Sequence, residues 1–399
     1  MTAVGARTIE EIVERARAML PRLRERAAAT EALRRVPDET IEDFTQAGLF
    51  RVFQPQRYGG YELDYGRTQI ELGSVLGQAC GSSAWVQSVI ACHAWCVGMF
   101  PAAAQDAVWA PDPDARVASA FSSSTGRGRH VDGGVFLEGD WQFSSGSAAC
   151  QWVILLATLP GTDGDLARIW CLVPRSDWEI VDTWYAAGLR GTGSFDIRVK
   201  GAFVPTAFTV DTGKLDGRPT PGSAVNPFYI YRLPLYPVFP FNVASPALGI
   251  ARGAIEAYID QMAARPERAS MPQIQLRIAE SSAEVDAATA LLRADVTEME
   301  RAGRAGQPLP PDLLDRVRRD LSYSVVICTR AVERLATALG AHGMPDANPV
   351  QRALRDVHAI GNHGGNQWDV QGPPFARALL GLPPAAPTLA ATSLPVAQS

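Results

Sequence analysis

The chain has almost no lysine: of 37 basic residues only Lys200 and Lys214 are lysines, and the rest are arginine. Against 42 acidic residues this leaves a formal charge of -5, which favours solubility and gives nucleic acid no basic surface to bind. Paired-cysteine spacing is also missing. Cys80, Cys92, Cys96, Cys150, Cys171 and Cys328 contain no CxxC, so no thioredoxin-type redox motif is written here. Cys92, His93 and Cys96 are neighbours, but Cys-x3-Cys without a second pair is a poor zinc set, and no metal is expected. No GxGxxG joins a strand to a helix and no GxxxxGK[ST] occurs. Gly191-x-Gly193 falls between strands, so NAD(P)H has no recognisable loop to bind. Long apolar runs are scarce. The most apolar stretch, Ser83 to Ala104, is interrupted by Gln87, Ser88, His93 and Cys96 and broken by Pro101, which makes it a buried helix and not a membrane span. The N-terminus is an amphipathic charged helix without a basic head and apolar stretch, so a cytoplasmic protein with free, buried thiols is expected.

What is present divides the 399 residues into three parts, since a chain of this length exceeds one compact core. Residues 1–112 are helical: Ile9, Ile12, Val13, Ala16, Met19, Leu20 and Leu23 recur at three and four and form one apolar face. A second helix begins near Pro37-Asp38 and ends at Gly48. Residues 113–225 alternate as strands, with a hairpin at Val131-Asp132-Gly133-Gly134-Val135 and further runs at Trp152 to Leu159, Ala167 to Val173 and Phe195 to Val204. No helix separates these strands, which predicts an antiparallel barrel or sandwich and not a parallel sheet. Residues 226–385 begin with a Pro- and Tyr-rich connector and continue as long helices. Ser270 to Ala302 carries an apolar stripe, and the next helix starts at Pro310-Pro311 and stops at Gly340. Such helices pack as a four-helix bundle. Residues 386–399 form a frayed tail. The fold class is α+β, mostly α.

This order of helices, small β-domain and helix bundle resembles the acyl-CoA dehydrogenase superfamily, and four segments carry the resemblance from about residue 10 to 382. They are PQRYGGYELDY at 55–65, WQFSSGSAACQWVIL at 141–155, GLRGTGSFDIRVKGAFVP at 188–205 and GAHGMPDANPVQRALRDVHAIGNH at 340–363. Where dehydrogenases commonly place a catalytic glutamate, in a Tyr-Glu-Gly triplet after the Arg-Asp pair, this chain has His363-Gly364-Gly365 after Arg355-Asp356. That pattern is similar to the two-component monooxygenases of the superfamily. The resemblance implies reduced flavin (FMNH2 or FADH2) and O2 as cofactors, a C4a-hydroperoxyflavin as oxidant, a separate NAD(P)H-dependent flavin reductase as partner, and a homotetramer.

The resemblance also nominates residues. His93 in the apolar helix matches a histidine that serves as substrate base, suited to it by an ordinary pKa near neutrality. Ser145 in the W-x-F-x-S-G motif would meet the flavin N5, because a hydroxyl donates or accepts without net charge. His363 would orient and protonate the peroxide. Ser122, or a neighbour in Phe121-Ser122-Ser123-Ser124, is the expected strand-end serine near the flavin. Phe143, Gly146, Arg190, Thr192 and Ser194 are expected at the flavin, Arg190 by the ring or a phosphate. Trp85, Trp95 and Phe121 would line a flat apolar substrate pocket. The expected substrate is a phenol- or indole-like ring or another small biosynthetic intermediate. N- or S-oxygenation, an acyl-CoA dehydrogenase with Asp369 as displaced base, and a non-catalytic relative of the fold stay open. His358 is off the face of His363 and is expected to be structural.

Overall fold

The computed structural model describes residues 8–122, 126–160 and 166–383. The expected tail at 386–399 and two candidate serines, Ser123 and Ser124, lie outside them. Helix α1 (Ile9–Leu33) starts on a capping box: the Glu11 N–H donates to Thr8 Oγ1, and the Thr8 N–H donates back to the Glu11 carboxylate. Its stripe of Ile12, Val13, Ala16, Met19 and Leu23 is buried, as the periodicity requires. Helices α2 (Asp38–Gln46), α3 (Tyr65–Leu76), α4 (Gly81–Val97) and α5 (Ala102–Trp109) complete the first part.

Helix α4 is buried along its whole length, polar residues included. Burial of a polar group is tolerable only with a partner, and the side-chain donors of Gln87 and Ser88 have partners. The Gln87 amide donates to Leu49 O (2.8 Å), and Ser88 donates to Asn242 O (2.7 Å) or to Gln69 Oε1 (2.5 Å). A helix enclosed on every side is a rigid place to mount a functional side chain.

Strands β1 (Val117–Ala120), β2 (Arg127–Val131), β3 (Gly134–Ser144), β4 (Trp152–Pro160), β5 (Leu166–Pro174), β6 (Glu179–Val181), β7 (Phe195–Pro205) and β8 (Thr209–Asp211) form two sheets, ordered β1-β4-β5-β8 and β2-β3-β7-β6. The Asp132-Gly133 turn joins β2 to β3, with Gly133 at φ 76°, where a side chain would be strained. One pairing departs from the antiparallel expectation: β1 and β4 are parallel. Between them the chain leaves for the second sheet, forms the β2–β3 hairpin and returns, and that excursion supplies the crossover a parallel pair needs.

After short turns and α6 (Leu235–Val238) come α7 (Phe241–Ala263), α8 (Pro266–Ala269), α9 (Pro272–Arg304), α10 (Pro311–Leu339), α11 (Pro349–Gly361), α12 (Trp368–Gln371) and α13 (Pro373–Leu379). Helices α7, α9, α10 and α11 pack on one another as the bundle. Helix α7 also packs on α3 and α4, so α4 is held between the bundle and the first sheet.

Candidate active site

Trp85, Val89 and His93 recur every four residues along α4 and therefore share one face. From the first to the third the helix rises roughly 12 Å. Each end of this face meets a different cluster.

At the first end, Trp85 Nε1–H donates to Ser145 Oγ (3.0 Å), and the indole meets the His363 ring edge-on at 5.6 Å between centroids. Residues 85, 145 and 363 come together from all three parts of the chain. Behind Ser145 runs a line of hydroxyls, Ser145 to Ser194 (2.6 Å) and Ser194 to Thr192 (2.7 Å), ending where Thr192 donates to Leu189 O (2.9 Å). Ser145 is half-buried, while Ser194 and Thr192 are buried. His363 follows α11, and the Gly365 N–H donates to its Nδ1 (3.1 Å). Burial pushes the His363 pKa down to about 4, so the ring is neutral near pH 7. With Nδ1 occupied as an acceptor, the proton sits on Nε2. His363 is therefore a hydrogen-bond donor through Nε2 and not a helix-end cation.

At the second end, His93 is buried and fully engaged. Its Nδ1–H donates to Val117 O (2.8 Å), and its Nε2 accepts from the Ser119 hydroxyl (2.7 Å). A carbonyl only accepts, so the tautomer is fixed with the proton on Nδ1. Burial lowers the His93 pKa to about 4, against the opposing pull of the Val117 carbonyl. This corrects the expectation of a free imidazole base titrating near neutrality. No nitrogen of His93 is open to a substrate. The group it can present is the Ser119 oxygen, which keeps its lone pairs after giving its proton to Nε2.

Ser119 is the residue that sequence reasoning missed. The expected strand-end serine, Ser122, is exposed, and its backbone bridges Gln142. Strand β1 pairs with β4 one residue opposite another, Ser119 facing Ile154, and only this register sets Ser119 against α4.

The remaining nominated residues separate into those at the clusters and those in the core. Phe143 is 58% exposed although its φ is 67°, a left-handed conformation unusual for a bulky residue. Its ring meets Trp184 edge-on at 6.1 Å. Gly146, at φ 69°, lies so close to α4 that a Cβ would come within 3.0 Å of Val86. Arg190 is exposed at the start of the turn Arg190–Thr192. Thr192 and Ser194, expected at the flavin itself, stand behind Ser145 with their hydroxyls already committed. Trp95 does not face Trp85: its indole donates to Ile230 O (2.7 Å) and packs on Tyr65 at 4.3 Å, which makes it core. Phe121 is partly buried, stacked on Trp170 (5.3 Å) and edge-on to Phe239 (5.7 Å). Asp369 is exposed on α12, and His358 pairs with Glu333 (3.1 Å).

The Arg355-Asp356 pair holds the 187–194 loop. Arg355 donates to Ala187 O (2.9 Å), and Asp356 Oδ1 accepts from Leu189 N (2.6 Å). Leu189 is left-handed at φ 50°, and Gly188 touches the Arg355 backbone so closely that a Cβ would lie 1.9 Å from its carbonyl oxygen. Burial raises the Asp356 pKa to about 6, and the Leu189 N–H opposes that rise.

A reduced flavin fits these residues. Ser145 retains acceptor capacity, Phe143 two residues before it presents a largely exposed ring, and Arg190 offers an exposed cation. Comparison with known proteins agrees. Residues 241–368 match the family model described as acyl-CoA dehydrogenase, C-terminal domain. The chain is 33% identical to the flavin-dependent monooxygenase, oxygenase subunit HsaA, of Mycobacterium tuberculosis, over 96% of this chain and 99% of that protein. The crystal structure of the M. tuberculosis HsaA monooxygenase superposes with a TM-score of 0.90 over 95% of this chain and 99% of that one, at 33% identity. The oxygenase component of an FADH2-dependent resorcinol hydroxylase from Rhizobium is 35% identical over 90% of this chain and 92% of its own length. The chain thus belongs to the oxygenase components of two-component flavin-dependent monooxygenases on the acyl-CoA dehydrogenase fold, enzymes that use reduced flavin and O2 and draw the flavin from a separate reductase.

Proposed function

We propose that this enzyme hydroxylates the ring of a phenol, with FADH2 as its flavin, and that the Ser119–His93 pair receives the phenol's proton. The observation that carries the substrate class is the Ser119 hydroxyl donating to His93 Nε2 at 2.7 Å while His93 Nδ1–H is tied to Val117 O at 2.8 Å. The similar proteins named resorcinol hydroxylase and p-hydroxyphenylacetate 3-hydroxylase, from Rhizobium and Acinetobacter baumannii, support a phenol. A relative named as FADH2-dependent, and the Streptomyces XiaF structure in complex with FADH2, 26% identical, support FAD.

The bound reduced flavin supplies the two electrons and the site of O2 activation. This chain's residues do the rest. Ser145 would accept from the N5–H of a bound reduced flavin, Phe143 would cover its ring system, and Arg190 would pair with its phosphates. A phenol O–H donates to Ser119, whose own proton is already directed to His93. Hydrogen bonding drains charge onto the ring carbons, and a neighbouring phenolate raises the lowered His93 pKa because opposite charges stabilise each other. The neutral His363 would offer its Nε2 proton into the site, with Trp85 beside it helping to exclude water. One oxygen atom of O2 enters the ring and the other leaves as water.

Met344, Leu379 and Leu380 are exposed apolar side chains that a homotetramer would cover, which light scattering on the purified protein checks. Six free, buried cysteines support a reducing, cytoplasmic setting. The functional test feeds the protein FADH2 from any flavin reductase and offers monohydric phenols against indoles, amines and thioethers of similar size. Ortho-hydroxylated product from phenols alone supports the reading. Turnover of the non-phenolic compounds at equal rates removes it.

A further inference from the structure

The hydroxyl line behind Ser145 has a direction that its geometry dictates. A carbonyl can only accept, so the single proton of Thr192 goes to Leu189 O (2.9 Å). Thr192 must then accept from Ser194 (2.7 Å), and Ser194, its proton spent, must accept from Ser145 (2.6 Å). Ser145 thus gives its proton inward while taking the Trp85 N–H from the other side (3.0 Å). What it has left is one lone pair and no proton. The anchor of the line, Leu189, is kept left-handed by Asp356 on its N–H (2.6 Å) and by Trp184 Nε1–H on its carbonyl (3.1 Å).

Resting on the reading that a flavin N5 lies at Ser145, we infer that Thr192 and Ser194 are positioning residues which set the proton direction at Ser145 and thereby make the site select reduced over oxidised flavin. Reduced flavin carries N5–H, a donor that the remaining lone pair accepts. Oxidised flavin has a bare N5 lone pair, which meets another lone pair. A direct contact alone would not discriminate, because a free serine hydroxyl turns to serve either form. Selection arises because the line behind Ser145 removes that freedom. It suits an enzyme that must take the reduced cofactor from a reductase and release the oxidised one.

The test is anaerobic equilibrium binding of FAD and of dithionite-reduced FADH2 to the purified apoprotein, with no substrate and no turnover. Wild type is expected to hold FADH2 more tightly. Ser194→Ala frees the Ser145 hydroxyl to serve either form, so FAD should bind more tightly while FADH2 binding stays about the same, lowering the preference about tenfold, the scale of one hydrogen bond gained. Thr192→Val should act in the same direction, and Thr192→Ser, which keeps the hydroxyl, should retain the wild-type ratio. Equal weakening of both forms in Ser194→Ala and Thr192→Val, or an unchanged ratio, overturns the inference. A wild type that binds neither form overturns the flavin reading itself.

Discussion

Replacing Ser119 by alanine isolates the claim that the substrate proton travels through a serine to a histidine. Among the described residues the hydroxyl removed is the only donor to His93 Nε2, at 2.7 Å, and His93 is buried. Leaving a buried acceptor unpaired costs about 1–3 kcal/mol of stability, so the variant should melt a few degrees lower but remain folded. The functional loss should be larger. Assisted proton removal contributes about 10²–10⁴-fold, and the predicted fall in hydroxylated product is at least about a hundredfold. Flavin affinity should not change, because Ser119 takes no part in the line behind Ser145. His93→Ala should cost a similar factor. The double variant should be little worse than either single one, since residues acting as a unit are not additive. Raising the pH toward the phenol's own pKa, about 10, should rescue Ser119→Ala by supplying phenolate directly. The assay is product formed per FADH2 consumed, with hydrogen peroxide as the uncoupled remainder. Turnover within twofold of wild type, multiplicative losses in the double variant, or no rescue at high pH would refute the relay.

Other outcomes follow from the same geometry. Nitrogen-15 NMR of the histidines should show opposite tautomers, the proton on Nδ1 in His93 and on Nε2 in His363, neither ring titrating between about pH 5.5 and 8 because both values lie near 4. His93 has a folded value below its unfolded one, so its contribution is complete above about pH 6.5 and declines as the pH falls toward 4. The wild-type stability advantage over His93→Asn should shrink by about 2 kcal/mol between pH 7 and 5 in urea titrations. His363→Ala should bind FADH2 normally and raise the peroxide share of the products. Gly188→Ala should displace the loop from the Arg355 backbone, because the added Cβ would lie only 1.9 Å from the Arg355 carbonyl oxygen. That should weaken binding of both flavin forms, measured by titration, and cost about 1–3 kcal/mol of stability.

The three-part order, the helix boundaries near Pro311 and Gly340 and the hairpin at Asp132-Gly133 were legible because period, proline and glycine signals are local. Ser145 and His363 were legible as candidates because each sits in a motif of fixed spacing. Their meeting through Trp85 was not, since contact between residues 85, 145 and 363 is decided by packing. Ser119 was invisible for the same reason: its role depends on a parallel β1–β4 register that no alternation pattern records. The demotion of Trp95 to the core came from facing, because ten residues on α4 from Trp85 the indole points at Tyr65 and Ile230. Burial decided the histidines. Sequence gives imidazole its ordinary pKa near neutrality, and only the enclosed setting of α4 brings His93 down to about 4.

This chain is expected to insert one atom of molecular oxygen into a phenolic ring, with reduced flavin supplying the electrons. The direct measurement is a single turnover: protein loaded anaerobically with FADH2 and a monohydric phenol, then mixed with ¹⁸O₂, with the product read by mass spectrometry. The expected product is of catechol type and carries one ¹⁸O atom, formed in wild type and nearly lost in Ser119→Ala. Reoxidised flavin with unlabelled phenol and only labelled peroxide, in wild type, would contradict it.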